Sequence, residues 1–391
     1  MRIALVGPAH PDKGGGARHT TELAHRLAAA GHDVVIASWR AQYPKRLYPG
    51  QQTVDVAEGA PYPRTRRRLA WYRPDGWLAE GRRLRSADLV IFVLITPLQV
   101  PAYLTIMAGL GRGAGRPGPR TAVICHNVLP HERRPGDVPL VKALLNRAGT
   151  VITHSAAQAA QAKALTPGAT VRTVALAPHL PTAGQHHHDT ERARFPAPRQ
   201  CRLLFFGIVR PYKGLDVLLR ALARAPEHVT LTVAGEFWTD ITEMEYLVSE
   251  LGLGSRVTLR PGYVPADRIP ALFAAADALV MPYREATASQ NALLAFAHGV
   301  PVITTTAGAL AEAVRAGVDG LTCAPGDEED LLRALRQISD PRMAGRLRAG
   351  IPAVDPEPPW AAYLQVLLAG AADGPGPGPA PPRPTPGRRR S

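Results

Sequence analysis

Cysteine is scarce in these 391 residues. Cys125, Cys201 and Cys323 are odd in number, far apart and without metal-ligand spacing, which argues against both a disulfide framework and a zinc site. That usage fits a reducing cytosol. Acidic residues are also short, 32 Asp and Glu against 46 Lys and Arg for a net charge of +14, and no Asp-x-Asp pair is present to bind a metal. Long apolar runs are nearly absent. The exception, Leu89 to Leu110, is uncharged, but Pro97 and Pro101 divide it into a strand-like and a helix-like half, neither long enough to span a bilayer. The opening MRIALVGPAH has too short an apolar run for a secretory signal and reads as a first strand, so we expect a protein that is not exported.

What is there in quantity is apolar residue, 46% of the chain against 20% charged, enough for two domains with cores of their own. Ile3 to Val6, the triple glycine Gly14-Gly15-Gly16, a helical run from Ala17 to Ala30 and Val34 to Ala37 make a β-α-β start. Strands are expected again at Leu89 to Ile95, Thr121 to Cys125 and Thr150 to Thr153, with helical stretches between them. From Pro178 to Gln200 the chain turns rich in Pro, His and charge, and a second alternation follows with strands at Leu203 to Phe206, Val229 to Val233, Val257 to Leu259, Ala278 to Met281, Val300 to Thr304 and Gly320 to Thr322. Strand-helix alternation of this kind predicts parallel sheets covered on both faces. The expected organisation is an α/β chain with one domain over 1–180, a linker over 181–200, a second domain over 201–356, a packing helix over 357–370 carrying Trp360, Tyr363 and Leu367 on one face, and a disordered Pro/Gly/Arg tail over 371–391.

Between Arg40 and Ser86 eleven Lys and Arg face four acids, with Trp71, Tyr72 and Trp77 interleaved. We expect this segment to be irregular, with short helices around Leu69 and Trp77. Its charge suits an anionic membrane surface, or simply solvates a loop.

The stretch Leu203 to Ala221 has the composition of an anion cradle. A buried strand ends at Gly207, and Arg210 and Lys213 precede Gly214 and an amphipathic helix. Unpaired N–H groups and the positive dipole end favour a phosphate there. Neither cation has an acid within the motif, so both charges are expected to be free. Two solvated cations on a connecting loop would look the same. The first glycine loop is not GxGxxG, but Gly15 and Gly16 at a helix start still permit close approach of a ligand to backbone. His126-Asn127 stands at the end of a strand, where open α/β sheets place ligand contacts; His131-Glu132 and Asp137 follow nearby.

The segments FFGIVRPYKGLD (Phe205 to Asp216), LTVAGE (Leu231 to Glu236), Phe273 to Val314, and GVDGL (Gly317 to Leu321), with HNVLPHE (His126 to Glu132) in the first half, resemble retaining glycosyltransferases of the two-Rossmann-domain (GT-B) type, family 4. The resemblance reaches to about Arg348. It implies two Rossmann-like domains facing across a cleft, a nucleoside-diphosphate sugar as donor substrate, a glycan, lipid-linked or small-molecule acceptor, and no cofactor or metal. By the same resemblance Arg210 and Lys213 would hold the donor diphosphate, with Gly207 at the turn beneath them. Gly15 and Gly16 would lie under the phosphates or sugar, and His126 beside the reacting sugar. Glu236 would lie near the nucleoside, Ser289 and Gln290 near phosphate or ribose, and Glu312 near the ligand. Family members commonly carry two glutamates where this chain has Ala286 and Leu294; Glu285, one position early, would be the substitute sugar contact. A nucleotide-sugar epimerase and a non-catalytic nucleotide-sugar-binding protein share the architecture. No nucleic-acid-reading motif is present, and the expected location is cytoplasmic, with possible peripheral contact with the inner face of an anionic membrane.

Overall fold

The computed structural model describes residues 1–44, 52–54, 60–111, 118–130, 132–178, 200–286 and 290–372. Ser289, His131, most of the linker and the Pro/Gly/Arg tail lie outside the described residues.

The first sheet has seven parallel strands: β1 (Arg2–Val6), β2 (Asp33–Ala41), β3 (Thr65–Ala70), β4 (Leu89–Leu94), β5 (Arg120–Cys125), β6 (Thr150–Thr153) and β7 (Val171–Thr173), in the order β3-β2-β1-β4-β5-β6-β7. The second has six: β8 (Cys201–Phe206), β9 (Val229–Gly235), β10 (Val257–Pro261), β11 (Ala278–Met281), β12 (Val302–Thr305) and β13 (Gly320–Cys323), ordered β10-β9-β8-β11-β12-β13. The helices of the first half are α1 (Gly15–Ala29), α2 (Pro74–Arg83), α3 (Val100–Leu110), α4 (Asp137–Leu145) and α5 (Ala156–Leu165). Those of the second are α6 (Leu215–Ala223), α7 (Ile241–Glu250), α8 (Ile269–Ala274), α9 (Asn291–Ala297), α10 (Glu328–Ser339), α11 (Pro341–Ala349) and α12 (Glu357–Ala372).

The central strands of each sheet are buried on both faces, which is why they read as nearly unbroken apolar runs. Side chains of β1 alternate: Ala4 and Val6 join one cluster with Phe92 and Tyr103, while Ile3 and Leu5 join the other with Leu23, Leu27 and Ile36. In β8, Leu203 and Phe205 pack with Leu218 and Leu222, and Leu204 packs on the opposite face with Phe273 and Leu279. Leu89–Leu94 and Val100–Leu110 are a buried strand and helix, as the two prolines imply, and no helix among the described residues is long and apolar enough to cross a membrane.

Among its described residues, Arg40 to Ser86 is more regular than its sequence suggests. A helix does carry Trp77, in α2, but Leu69 lies in the edge strand β3. The reason is positional: β3 pairs on one side only, so Arg66 and Arg68 point to solvent, and an arginine run can form a strand without an apolar face.

Helix α12 leaves the second half and packs on the first. Trp360 Nε1 donates to the Pro178 carbonyl at 2.8 Å, Arg26 Nη1 reaches Glu357 Oε2 at 2.5 Å, and Trp360, Tyr363 and Leu367 are fully buried beside Leu23, Ile124 and Ile152.

Candidate active site

In both sheets the chain reverses its direction of winding beside the first strand, between β1 and β4 and between β8 and β11. Loops leaving the carboxyl ends of these strands border a crevice, the usual ligand position in open α/β sheets. The loop after β1 leads through Lys13 and Gly14 into α1. Gly16 there has no room for a side chain, since a Cβ would overlap Ile95 and lie 3.9 Å from His126 Cδ2. The glycine loop and His126 are therefore brought together.

His126 follows β5, its N–H donating to the Leu94 carbonyl at 3.0 Å and its carbonyl accepting from Gln158 Nε2 at 2.9 Å. Its ring belongs to a buried aromatic group. His19 of α1 lies 5.0 Å away edge-on and His154 5.4 Å away, and His19 in turn stacks on Trp360 at 5.3 Å and meets Tyr363 at 5.0 Å. Burial pushes the His154 pKa down to about 4, so the imidazole is neutral at physiological pH while its Nδ1 contacts the Val174 carbonyl at 3.2 Å. Among the described residues no group of His, Cys, Asp and Glu is arranged to hold a metal ion. The three cysteines are buried thiols whose pKa burial pushes up to about 12.

In the second half, the strand β8 gives way at Gly207 to a loop whose 3-10 turn, Pro211–Lys213, ends at Gly214. Gly214 has φ 66°, and any side chain there would overlap the Pro282 carbonyl beyond β11, so the turn is pressed against the neighbouring strand end. Arg284 pins it from outside with a two-pronged pair to Asp216 at 2.8 and 2.7 Å and a 2.9 Å bond to the Pro211 carbonyl. Lys213 Nζ lies 3.6 Å from the position a Gly207 Cβ would take, beside Asn291 Nδ2, and 5.3 Å from the centre of the Tyr283 ring. It has no carboxylate partner among the described residues, and burial lowers its pKa from the ordinary lysine value.

Arg210 differs from expectation. Its charge is not free: it pairs with Glu132 of the opposite domain and lies 5.0 Å from the Trp238 ring. The sequence motif holds no acid near Arg210, but closure of the crevice supplies one from 78 residues away. Glu236 is met in the same way by Lys13, in a nearly buried pair, and the Lys13 ammonium lies 4.2 Å above the Tyr263 ring. These two ion pairs join the walls, and Gln290 Nε2 adds a 3.4 Å contact to the Leu176 carbonyl.

A cleft of about 360 Å³ lies between the walls, lined by Gly14 to Gly16, Asn127, Glu132, Arg210, Tyr212 and Trp238, with Arg40, Arg67 and Arg134 on the first-domain side. A second hollow of about 290 Å³ at the ends of β9 and β10 is lined by Glu236, Trp238, Thr239, Pro261 and Gly262. His126 and Lys213 do not line either space; their neighbours Asn127 and Tyr212 do. Glu285 and Glu312 are exposed and line neither. Leu294, on α9, is buried in the core cluster with Phe273 and Leu279. Lys13, Asn291, Trp238 and Tyr263 escaped the sequence reading. Only Lys13 had a signal, a cation directly before three glycines; the others are placed by packing.

Two parallel-sheet Rossmann-like domains meeting in this way define the GT-B class. The structure aligns with sucrose-phosphate synthase from Thermosynechococcus elongatus at TM-score 0.72 and 21% identity over 94% of this chain and 99% of that one. It aligns with Anabaena HepE in complex with UDP and glucose at TM-score 0.68 and 16% identity, over 94% and 99%. Family profiles match both halves, "Glycosyltransferase Family 4" over residues 13–176 and "Glycosyl transferases group 1" over 200–340. The chain belongs to the family 4-like GT-B glycosyltransferases. It is 32% identical to D-inositol 3-phosphate glycosyltransferase 1 of Catenulispora acidiphila over 244 residues, 57% of each chain, and 33% identical to a glycogen synthase of Mycobacterium tuberculosis over 162 residues, 40% of this chain and 38% of that one. The chain thus spans little more than half the length of the first of these relatives.

Proposed function

We propose that this protein is a retaining glycosyltransferase that moves a hexosyl group from a nucleoside-diphosphate sugar to a hydroxyl acceptor, with the donor on the domain over 201–356 and the acceptor on the domain over 1–180. The observation that carries the reading is the Lys213 ammonium, held at the switch point of the second sheet without a carboxylate partner among the described residues, next to Tyr212, which lines the cleft together with the glycine loop. A partly desolvated cation in that position lacks only an anion. Departure of a nucleoside diphosphate places growing negative charge on phosphate, and a preorganised ammonium stabilises it without rearranging at the moment of reaction. Arg210 adds a second charge once the donor displaces Glu132.

The acceptor oxygen bonds to the anomeric carbon on the face from which the phosphate oxygen leaves, and the hydroxyl proton passes to that departing oxygen. The enzyme's task is then positioning and electrostatics. His126, fixed through its backbone by Gln158 and flanked by His19 and His154, sits directly behind the cleft wall next to Gly16, and its neighbour Asn127 lines the space the sugar would take; Gly16 lets donor and helix α1 approach closely. Glu236 and the hollow beside Trp238 take the nucleoside after Lys13 releases the carboxylate. With Ala286 and Leu294 at the usual glutamate positions, the ribose and sugar hydroxyls are met by other groups, Gln290 among them.

HepE has been solved with UDP and with UDP-glucose, which makes UDP-sugars the first donors to try. Incubating the protein with labelled UDP-glucose, UDP-N-acetylglucosamine and GDP-mannose and a panel of acceptors should release nucleoside diphosphate and yield an α-linked product. A free sugar epimer as the only product would identify an epimerase instead, and binding without turnover a binding protein.

A further inference from the structure

Where helix α12 meets α1, it presents aromatic planes. Trp360, Tyr363 and Leu367 share one face at helical spacing. A helix that only sealed the first domain would need apolar bulk, and leucine supplies that. Tyr363 instead buries a hydroxyl that has no hydrogen-bond partner among the described residues, so the ring is the part of this side chain that has a use there. Trp360 is held in one orientation by its bond to the Pro178 carbonyl, and the Arg26 guanidinium, paired to Glu357, lies 5.6 Å from its ring.

Both rings meet His19. This residue is fully buried on α1, one turn beyond Gly16, and Thr20 Oγ1 beside it donates to the Gly16 carbonyl at 2.8 Å. Trp360 stacks on the His19 imidazole with the planes 16° apart, Tyr363 meets it edge-on, and His19 meets the His126 ring at 84°. His154 contacts the His126 ring as well and lies against Tyr363 at 5.8 Å, 27° from parallel. Gln158 ties the two backbones, its Oε1 accepting the His154 N–H at 2.6 Å while its Nε2 donates to the His126 carbonyl. Such backbone bonds fix the Cα of His126 but leave its ring able to turn, since the outer torsion of histidine is broad. Aromatic pairs prefer particular interplanar angles, so a chain of them passes on an orientation that aliphatic packing would not.

We propose that His19, Trp360 and Tyr363 are positioning residues for sugar transfer: the two α12 rings fix His19, and His19 fixes the His126 ring behind the part of the cleft wall formed by Gly16 and Asn127. This rests on the glycosyltransferase reading above. A misplacement of about 1 Å at a reacting centre can cost about a hundredfold in rate. Loosening the His126 ring therefore lowers turnover and leaves donor affinity in place, because the donor is held on the other domain.

Substitutions of similar volume separate orientation from bulk. Trp360→Phe and Trp360→Leu both lose the Pro178 bond and both leave space, but only phenylalanine keeps a plane against His19. His19→Leu keeps nearly the same volume and removes the ring. kcat, donor KM and Tm are measured for each. Trp360→Leu and His19→Leu should lower kcat tenfold or more with donor KM within twofold, and Trp360→Phe should recover at least threefold over Trp360→Leu at a comparable Tm. Equal kcat for the two Trp360 variants, or kcat that simply follows Tm across the set, would overturn the positioning role. The ring itself is read by NMR on protein with isotope-labelled histidine, His126 being assigned with His126→Gln. Its Cε1–H signal should shift or broaden in both leucine variants and move less in Trp360→Phe, and a signal unmoved in both leucine variants would overturn the role whatever the kinetics. A parent that transfers sugar from no donor would sink the glycosyltransferase reading, and the histidine spectra would then decide by themselves whether α12 sets the His126 ring.

Discussion

Replacing Lys213 by methionine separates a functional charge from a structural one. Methionine keeps the length and apolar stem of the side chain over Tyr283 and removes the ammonium. At an effective dielectric constant of about 20, a unit charge about 4 Å from one developing on phosphate is worth about 4 kcal/mol. Removing a preorganised donor at such a site generally costs about 3 kcal/mol in the transition state, or roughly a hundredfold in rate. Stability should move the other way. Burial lowers the pKa of the folded ammonium below 10.5, so between that lowered value and 10.5 the unfolded chain holds more protons and stability rises with pH. Below the window the buried charge is a constant handicap, and Lys213→Met at pH 7 should melt at or above the parent temperature. The assay is kcat and KM for donor-dependent transfer beside a calorimetric Tm. The kcat effect should dominate if the charge acts on the leaving group, and the KM effect if it holds only the ground state. A variant that melts normally and transfers at the parent rate would refute the diphosphate site.

Four further outcomes are expected. Arg210 and Glu132 form a half-exposed pair worth no more than about 1 kcal/mol, so Glu132→Gln should tighten UDP binding up to fivefold, whereas Arg210→Ala should cut transfer by about a hundredfold; both are read by titration and steady-state kinetics. His154, with its pKa at about 4 against 6.5 unfolded, contributes stability that is complete above pH 6.5 and is lost as pH falls towards 4, about 2 kcal/mol by pH 5; urea melts should show this slope, and His154→Gln should flatten it. Trp360→Ala empties a fully buried site and removes the bond to Pro178, for a loss of about 3–5 kcal/mol with weakened docking of α12, measured by denaturation and by proteolysis. Trp71 and Tyr72, exposed among Arg66, Arg68 and Arg73, should bind anionic vesicles in a salt-sensitive manner that Trp71→Ala/Tyr72→Ala weakens, and equal binding to neutral vesicles would make this segment ordinary solvated surface.

The sequence by itself determined the two alternating halves, because a strand buried on both faces must be apolar and short, and a crossover helix must be amphipathic. Leu89 to Leu94 and Leu203 to Phe206 are legible for that reason. It also determined the glycine positions and the cations before α6, since Gly214 sits where no side chain fits. β3 was illegible: an edge strand of arginines has no apolar face to betray it. Only the tertiary structure decided that Arg210 meets Glu132, that Lys13 meets Glu236, and that Arg67 is seated on Asp12. It likewise decided that α12 crosses over to press Trp360 and Tyr363 against His19 beside His126. In each case the partners are separated by tens to hundreds of residues. No local propensity or periodicity encodes such a pairing; the Arg210–Glu132 and Lys13–Glu236 pairs arise when the strand-end loops of the two sheets share one crevice, and the others when distant segments pack within or onto the first domain.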